Sequence, residues 1–438
     1  MLDTKIIQPS VLDRTIAPHI TDAVEFELTL PPYEKYTLKN GIELYSINLG
    51  TQETMMVNWV FHAGNWYEEK NLVAAAANYL LKNGTSKRNA FSVNEHFEYY
   101  GSYLNRSCQY ETAEINLHCL TKHVNELLPV VSELIMDSVY PEEELEIFRK
   151  NMQQRLKVSL LKSDFIAGRL IDSYLFGFNH PYGKYASLED YTALQRDEIK
   201  NFYQEYYQRG KCIIFAAGKL PSDLVPTIEK YFGGLPLRGA TDNGQPITHS
   251  IVPATQKKYR VTNDPNGAQG AIRIASPFPN RHHPDFQKFQ VLNNIFGGYF
   301  GSRLMTNIRE DKGYTYGIYS YLMNLTQESA LLISTEAGKD VCEATVEEVY
   351  NEMKTICSEP VDAEELQATR NYMIGTILGD LDGPFQVAGR WKNILLNGLD
   401  ENYFYNGIRI IKTIGAEELL ELANKYLKPE SFYELVVV

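Results

Sequence analysis

The sequence predicts an α+β protein of two duplicated domains, each a mainly antiparallel sheet with helices packed on one face, the pair forming a clamshell. Three observations predict this. The first is size and balance: 438 residues, 44% hydrophobic and 22% charged, are enough for two cores of ordinary globular composition. The second is an internal repeat. Leu145, Arg149 and Ala167-Gly168-Arg169 are answered, at a constant shift of 221 positions, by Leu366, Arg370 and Ala388-Gly389-Arg390. Self-similarity at half the chain length means duplication rather than a solenoid. The third is the order of signals within each half, which runs strands, helix, strands, helices, strand. On these grounds residues 1–30 are an N-terminal extension, 31–234 the first domain, 235–257 a linker and 258–438 the second domain.

In chain order, Pro9, Pro18, Pro31 and Pro32 predict an extended lead-in wrapped over the domain surface. Tyr36-Thr37-Leu38 and Ile42 to Ile47 flank Asn40-Gly41, the strongest short-range hairpin signal in the chain. Met55 to His62 reads as a third strand, ending at Ala63-Gly64-Asn65. A helix over about 72–82 is closed by Asn83-Gly84, because glycine tolerates the backbone that ends a helix. Ser92 is placed to cap a helix to Tyr100. Strands at 102–109 and 111–119 follow, then an amphipathic helix through Val124, Leu127, Leu128, Val131, Leu134 and Ile135. Pro141-Glu142-Glu143-Glu144 opens a long helix, with acidic side chains over the positive end of its dipole. Val361-Asp362-Ala363-Glu364-Glu365 repeats that opening in the second half. Later, Glu198–Tyr207 and the apolar strand Ile213-Ile214-Phe215 are echoed by Glu417–Tyr426 and Leu435-Val436-Val437. The polar stretch 235–255, with Thr241-Asp242-Asn243-Gly244, is the linker.

A net charge of -13 and the lack of any basic block argue against a nucleic-acid partner. No stretch approaches the roughly 18 apolar residues of a membrane span, and no signal peptide is visible. Cys108, Cys119, Cys212, Cys342 and Cys357 are odd in number and show no metal or redox spacing. They are expected to be reduced, which favours a cytoplasmic location.

One stretch carries chemistry. After Gly297-Gly298, residues Leu304 to Arg309 read as a helix that stops at Lys312-Gly313, and Tyr314 to Tyr319 alternates as a strand. A helix returning on glycine into a strand can bring Arg309 close to that strand. An arginine and a tyrosine together can bind a peptide carbonyl or the oxyanion it develops. A surface arginine beside Glu310 and Asp311, with tyrosines filling a strand, fits the same residues.

With those residues in view, the chain resembles the insulinase/pitrilysin-like zinc peptidases, and most closely their half-size, mitochondrial-processing-peptidase-type members. In the first half the resemblance rests on Asn40-Gly41, Phe61-His62-Ala63-Gly64-Asn65 and Leu81-Lys82-Asn83-Gly84-Thr85. In the second it rests on His283-Pro284-Asp285, Gly297-Gly298, Ser302-Arg303-Leu304 and Ile308 to Tyr316. The family binds zinc through an inverted H-x-x-E-H motif on the helix before that Gly-Thr, plus a glutamate on the long helix that follows. The matching positions here are Ala75, Asn78, Tyr79 and Arg155. Alanine has no ligand atom, asparagine cannot take a proton from water, neutral tyrosine is a poor ligand, and arginine is a cation. The resemblance therefore implies a member without zinc. His62, which ends a strand and lacks a partner at ligand spacing, reads as structural.

The family's second-half pair is intact as Arg309 and Tyr316. The resemblance implies that these two bind and polarise substrate peptide. Zinc then belongs in a homologous partner subunit carrying H-x-x-E-H, and this chain is the non-metal-binding half of a heterodimeric peptidase. It also implies that an edge strand near Ala63-Gly64-Asn65 pairs with extended peptide. A non-enzymatic structural or peptide-binding protein of the same fold is the alternative.

Overall fold

The Asn40-Gly41 signal folds as the sequence predicts. Gly41 takes φ +84° at the turn between β1 (Glu34–Thr37) and β2 (Glu43–Asn48), which pair antiparallel. Our computed structural model describes residue 15 and residues 22–239 and 247–438. The linker's Thr241-Asp242-Asn243-Gly244 and most of the N-terminal extension lie outside the described residues. The first half continues with β3 (Thr54–Phe61), α1 (Val73–Leu80), α2 (Ala90–Tyr99), β4 (Tyr103–Cys108), β5 (Ala113–Leu120), α3 (Val124–Asp137), α4 (Glu142–Ser159), α5 (Ser163–Phe176), α6 (Leu188–Ala193), α7 (Arg196–Tyr203), β6 (Cys212–Gly218) and α8 (Leu224–Phe232). The second half holds β7 (Lys258–Val261), β8 (Gln269–Pro277), α9 (Asp285–Asn293), β9 (Thr315–Asn324), β10 (Ser329–Gly338), α10 (Cys342–Ser358), α11 (Ala363–Gly379), α12 (Pro384–Leu396), α13 (Glu401–Thr413), α14 (Ala416–Tyr426) and β11 (Tyr433–Val437).

The strands form two sheets, ordered β1-β2-β6-β3-β5-β4 and β7-β11-β8-β10-β9. Each has one parallel pair, β2 with β6 and β11 with β7, and is otherwise antiparallel. This is the α+β architecture the repeat predicts: the five strands of the second sheet follow the order of β2-β6-β3-β5-β4 in the first, and β1 is an added edge strand without a counterpart. The repeated arginines explain part of the self-similarity. Arg149 of α4 donates to the carbonyl of Leu194, just past α6. Arg370 of α11 donates to Ile414 O, just past α13, at 2.7 Å. Each satisfies a carbonyl that its helix end cannot.

The helix cap differs from expectation. Asn89, not Ser92, caps α2, its side chain accepting from Ser92 N at 2.9 Å. Asparagine serves this role as well as serine, so residue type alone does not favour Ser92 over Asn89.

Each half buries the helix-facing side of its own sheet, and each lends one helix to the other. Helix α5 lays Ala167, Ile171 and Leu175 against Ala271, Ala275 and Leu435 of the second sheet. Its repeat mate α12 places Leu395 and Leu396 over Tyr45, Val60, Ile213 and Phe215 of the first. The described part of the lead-in also crosses over. Leu28 and Leu30 are buried in the second-half core, and Lys412 Nζ holds Phe26 O. Polar contacts join the halves as well. Lys392 of α12 pairs with Glu114 of β5 at 2.7 Å. Tyr182 donates to Glu111 and accepts from Gln327 N.

Asp172 of α5 sits in this junction, buried, accepting from Tyr185 and facing Arg273 of β8. Burial outweighs both partners and pushes its carboxyl up to about 6. A folded value above the unfolded one means that the charged form weakens the fold. Its cost is absent below about pH 4, grows as pH rises to 6, and is constant above. His180, pushed down to about 4 by burial and His249, has the opposite sign, so a difference experiment isolates Asp172. Asp172→Asn should gain on the parent chain between pH 4 and 6, by at most about 3 kcal/mol. Urea denaturation of both proteins at pH 4, 5, 6 and 7 checks this, and a pH-independent difference contradicts it.

Candidate functional site

The second-half site is built on β9, the outermost strand of its sheet. Between α9 and β9 the chain makes two π-helical segments, Asn294–Gly298 and Met305–Asp311. The sequence predicts an ordinary helix over Leu304–Arg309. The wider turn is found instead, closing with Lys312 N on Asn307 O, and such turns re-aim side chains. Gly297 lets the segments press on β9, since a Cβ there would meet Ser320 Cβ at 2.7 Å and Leu304 Cδ1 at 2.8 Å. Gly313, at φ +67°, turns the chain into the strand.

This geometry brings Arg309 to Tyr316. Arg309 Nε donates to the carbonyl of Tyr316 at 3.0 Å. The guanidinium lies over the Phe300 ring, 4.6 Å from its centroid, and 3.8 Å from Glu310. Phe300, which sequence reasoning missed, is thus the platform that orients Arg309 by cation–π attraction. The Tyr316 ring is 92% exposed. Both side chains stand at an unpaired sheet edge, and among the described residues nothing closes over the tyrosine.

The four degenerate zinc positions lie in the first half, on α1 and α4. Ala75 is partly exposed and Arg155 exposed. Asn78 is buried, donating to Tyr207 Oη at 3.1 Å and Glu114 O at 3.3 Å. Tyr79 packs its ring on Phe148 of α4 (centroids 5.0 Å), and Arg106 of β4 lies 5.4 Å over that ring while donating to Tyr79 O. A phenol packed at a tilt on a phenyl ring and a guanidinium replace a ligand set, and the residues present do not fit zinc. Burial pulls the Arg106 guanidinium down from its usual value, the mark of a cation in a low-dielectric setting where a second cation is repelled. Phe148 and Arg106 were not singled out by sequence, since they come from elements far apart in the chain.

His62 is half-buried and its imidazole is pulled down by burial and Lys211; its Nδ1 lies 3.5 Å from Tyr67 Oη. The edge strand expected beside Ala63-Gly64-Asn65 needs correction. That strand, β3, is internal, bonded to β6 on one side and β5 on the other. The free edges near the candidate positions are β4 in the first sheet and β9 in the second.

Two sheets of matched topology, a filled first-half metal position and an arginine–tyrosine edge define a zinc-peptidase-like fold without its metal ligands. The comparisons agree. Residues 193–373 match the family model described as "Peptidase M16 inactive domain". The "uncharacterized zinc protease YmxG" of Bacillus subtilis (strain 168) is 25% identical over 372 residues, covering 83% of this chain and 88% of its own length. Among solved structures, a protease from Helicobacter pylori superimposes with TM-score 0.83 at 18% identity, over 93% of this chain and 100% of its own. The peptidase M16 inactive domain from Pseudomonas fluorescens does so with TM-score 0.80 at 19% identity, over 92% and 98%. The chain is thus similar to M16 peptidases over most of its length, and it carries no zinc-motif residue at Ala75, Asn78, Tyr79 or Arg155. Among the described residues, no helix is long and apolar enough to cross a membrane.

Proposed function

We propose that this chain is the non-metal-binding subunit of a heterodimeric zinc peptidase, with Arg309 and Tyr316 binding and polarising the substrate carbonyl. One observation carries the reading. The pair is held at an open sheet edge, with the Tyr316 ring almost wholly in solvent, while the metal position in the same chain is filled by Tyr79, Phe148 and Arg106. A large exposed aromatic beside an oriented arginine is what a second surface would cover. Zinc and its activated water would come from a homologous partner bearing H-x-x-E-H. Extended peptide would add to the open edge of β9 through main-chain hydrogen bonds. A cytoplasmic location accords with five unpaired cysteines.

The second reading is a non-enzymatic structural or peptide-binding protein. What favours it is the bond from Arg309 Nε to the strand's own carbonyl, a tether a purely architectural residue would also make. Assays of peptide hydrolysis separate the two. The purified chain with added zinc should be inactive, and mixing it with a zinc-bearing homologue from the same source should produce cleavage. Robust hydrolysis by the chain alone would overturn the proposal. A zinc-bearing homologue indifferent to this chain would favour the second reading.

A further inference from the structure

The duplication places a second cavity at the position in the second half that the metal site holds in the first. Helices α1, α4 and α5 correspond to α9, α11 and α12, and β4 corresponds to β9. In the first half this space is closed by Tyr79 and Phe148. Moved by the repeat shift, Arg155 becomes Thr376, which removes a long cation. What remains between α9, α11, α12, α13 and β9 is a cavity of about 730 Å³, with Thr376, Gly389 and Arg390 in its wall. That volume is in the range of small-molecule sites.

We propose that this cavity binds a short peptide segment. Its lining combines isoleucines of α12 and α13 with amide side chains and one ion pair. Asn393 accepts Arg281 Nη1 on its Oδ1 at 2.6 Å, which leaves its NH₂ group to donate to a carbonyl. Asn294 uses its Nδ2 on Gln290 O at 2.8 Å, which leaves its Oδ1 to accept from an N–H. A donor and an acceptor on fixed amides match the alternating groups of a peptide backbone. At the mouth, Arg390 pairs with Asp380 and stacks near Phe404, so the rim offers one cation and one anion for charged chain termini. A single arginine beside a carboxylate lacks the cluster of cations that a phosphate ligand uses. The inference is independent of the role given to Arg309.

Gly389 provides a clean test. A Cβ at that position would meet nothing within 4 Å, and in a helix leucine is a better former than glycine. Gly389→Leu should therefore fold at least as well as the parent while projecting a side chain into the cavity. Calorimetric titration with Ala-Leu-Ala, once with free termini and once acetylated and amidated, reads binding to the full chain. We expect the parent chain to bind and Gly389→Leu to bind at least tenfold more weakly with an unchanged melting temperature. Arg309→Ala should bind like the parent. Preference for free termini would identify a free peptide as the occupant, and equal binding of both forms an internal protein segment. Absence of binding to the parent, or equal binding by Gly389→Leu, would overturn the proposal.

Discussion

Arg309→Ala should lower the turnover of the reconstituted zinc peptidase by about 10²–10³, the effect of losing one oxyanion donor. The loss should fall on kcat and kcat/KM alike, because the interaction strengthens as charge develops on the substrate oxygen. The tether to Tyr316 O and the Phe300 platform hold the guanidinium in place before substrate arrives, so little of the effect should come from ordering. Arg309→Lys should recover little of it. Lysine offers a point charge where the planar fork both stacks and donates, and it cannot make the Nε bond to the strand. Steady-state kinetics with a quenched peptide check all of this, and an Arg309→Ala complex with parental kcat contradicts it.

Trp391→Ala should be the most damaging single core change, costing about 3–5 kcal/mol. Trp391 is buried on the exchanged helix α12. Its ring meets Tyr33 edge-on at 4.7 Å, and its indole N–H donates to Pro31 O at 2.7 Å. Tyr33 in turn meets Tyr45 at 5.1 Å, and Tyr45 stacks on Phe215 at 5.3 Å. The ladder runs from the second half through the lead-in into the first-half sheet. Removing its first rung opens a cavity, strands a carbonyl and loosens the junction of the two halves. Urea denaturation followed by far-ultraviolet circular dichroism reads the cost. A change below about 1 kcal/mol, typical of a surface site, would contradict the account.

Much of the architecture was legible because it was written in local chemistry. The Asn40-Gly41 turn, the acidic openings of α4 and α11 and the repeated arginines are signals within a few residues of one another. The proximity of Arg309 and Tyr316 was legible for the same reason, since they lie seven positions apart across one glycine turn. What could not be read was decided by contacts between distant elements. The alternation of β3 is the same for an edge as for a centre, so its place between β6 and β5 was invisible. The apolar faces of α5 and α12 declare burial but not which sheet buries them, and both cross to the other half. The π-helical turn before β9 has no residue code of its own; it packs where Gly297 of the preceding segment allows a close approach to Ser320 and Leu304. The absence of zinc ligands was visible in four residue identities. That Phe148 and Arg106 close in on Tyr79 required three elements to meet.

The central claim is that the arginine–tyrosine edge works only against a metal site supplied by another chain. The most direct measurement titrates a fixed amount of zinc-bearing homologue with this chain and follows peptide turnover. The account predicts no turnover by either component alone, and a rise that saturates at one chain per zinc. With Arg309→Ala the saturation point should be the same and the plateau lower by about 10²–10³. Turnover by the homologue that ignores this chain, or a plateau unchanged by Arg309→Ala, would contradict it.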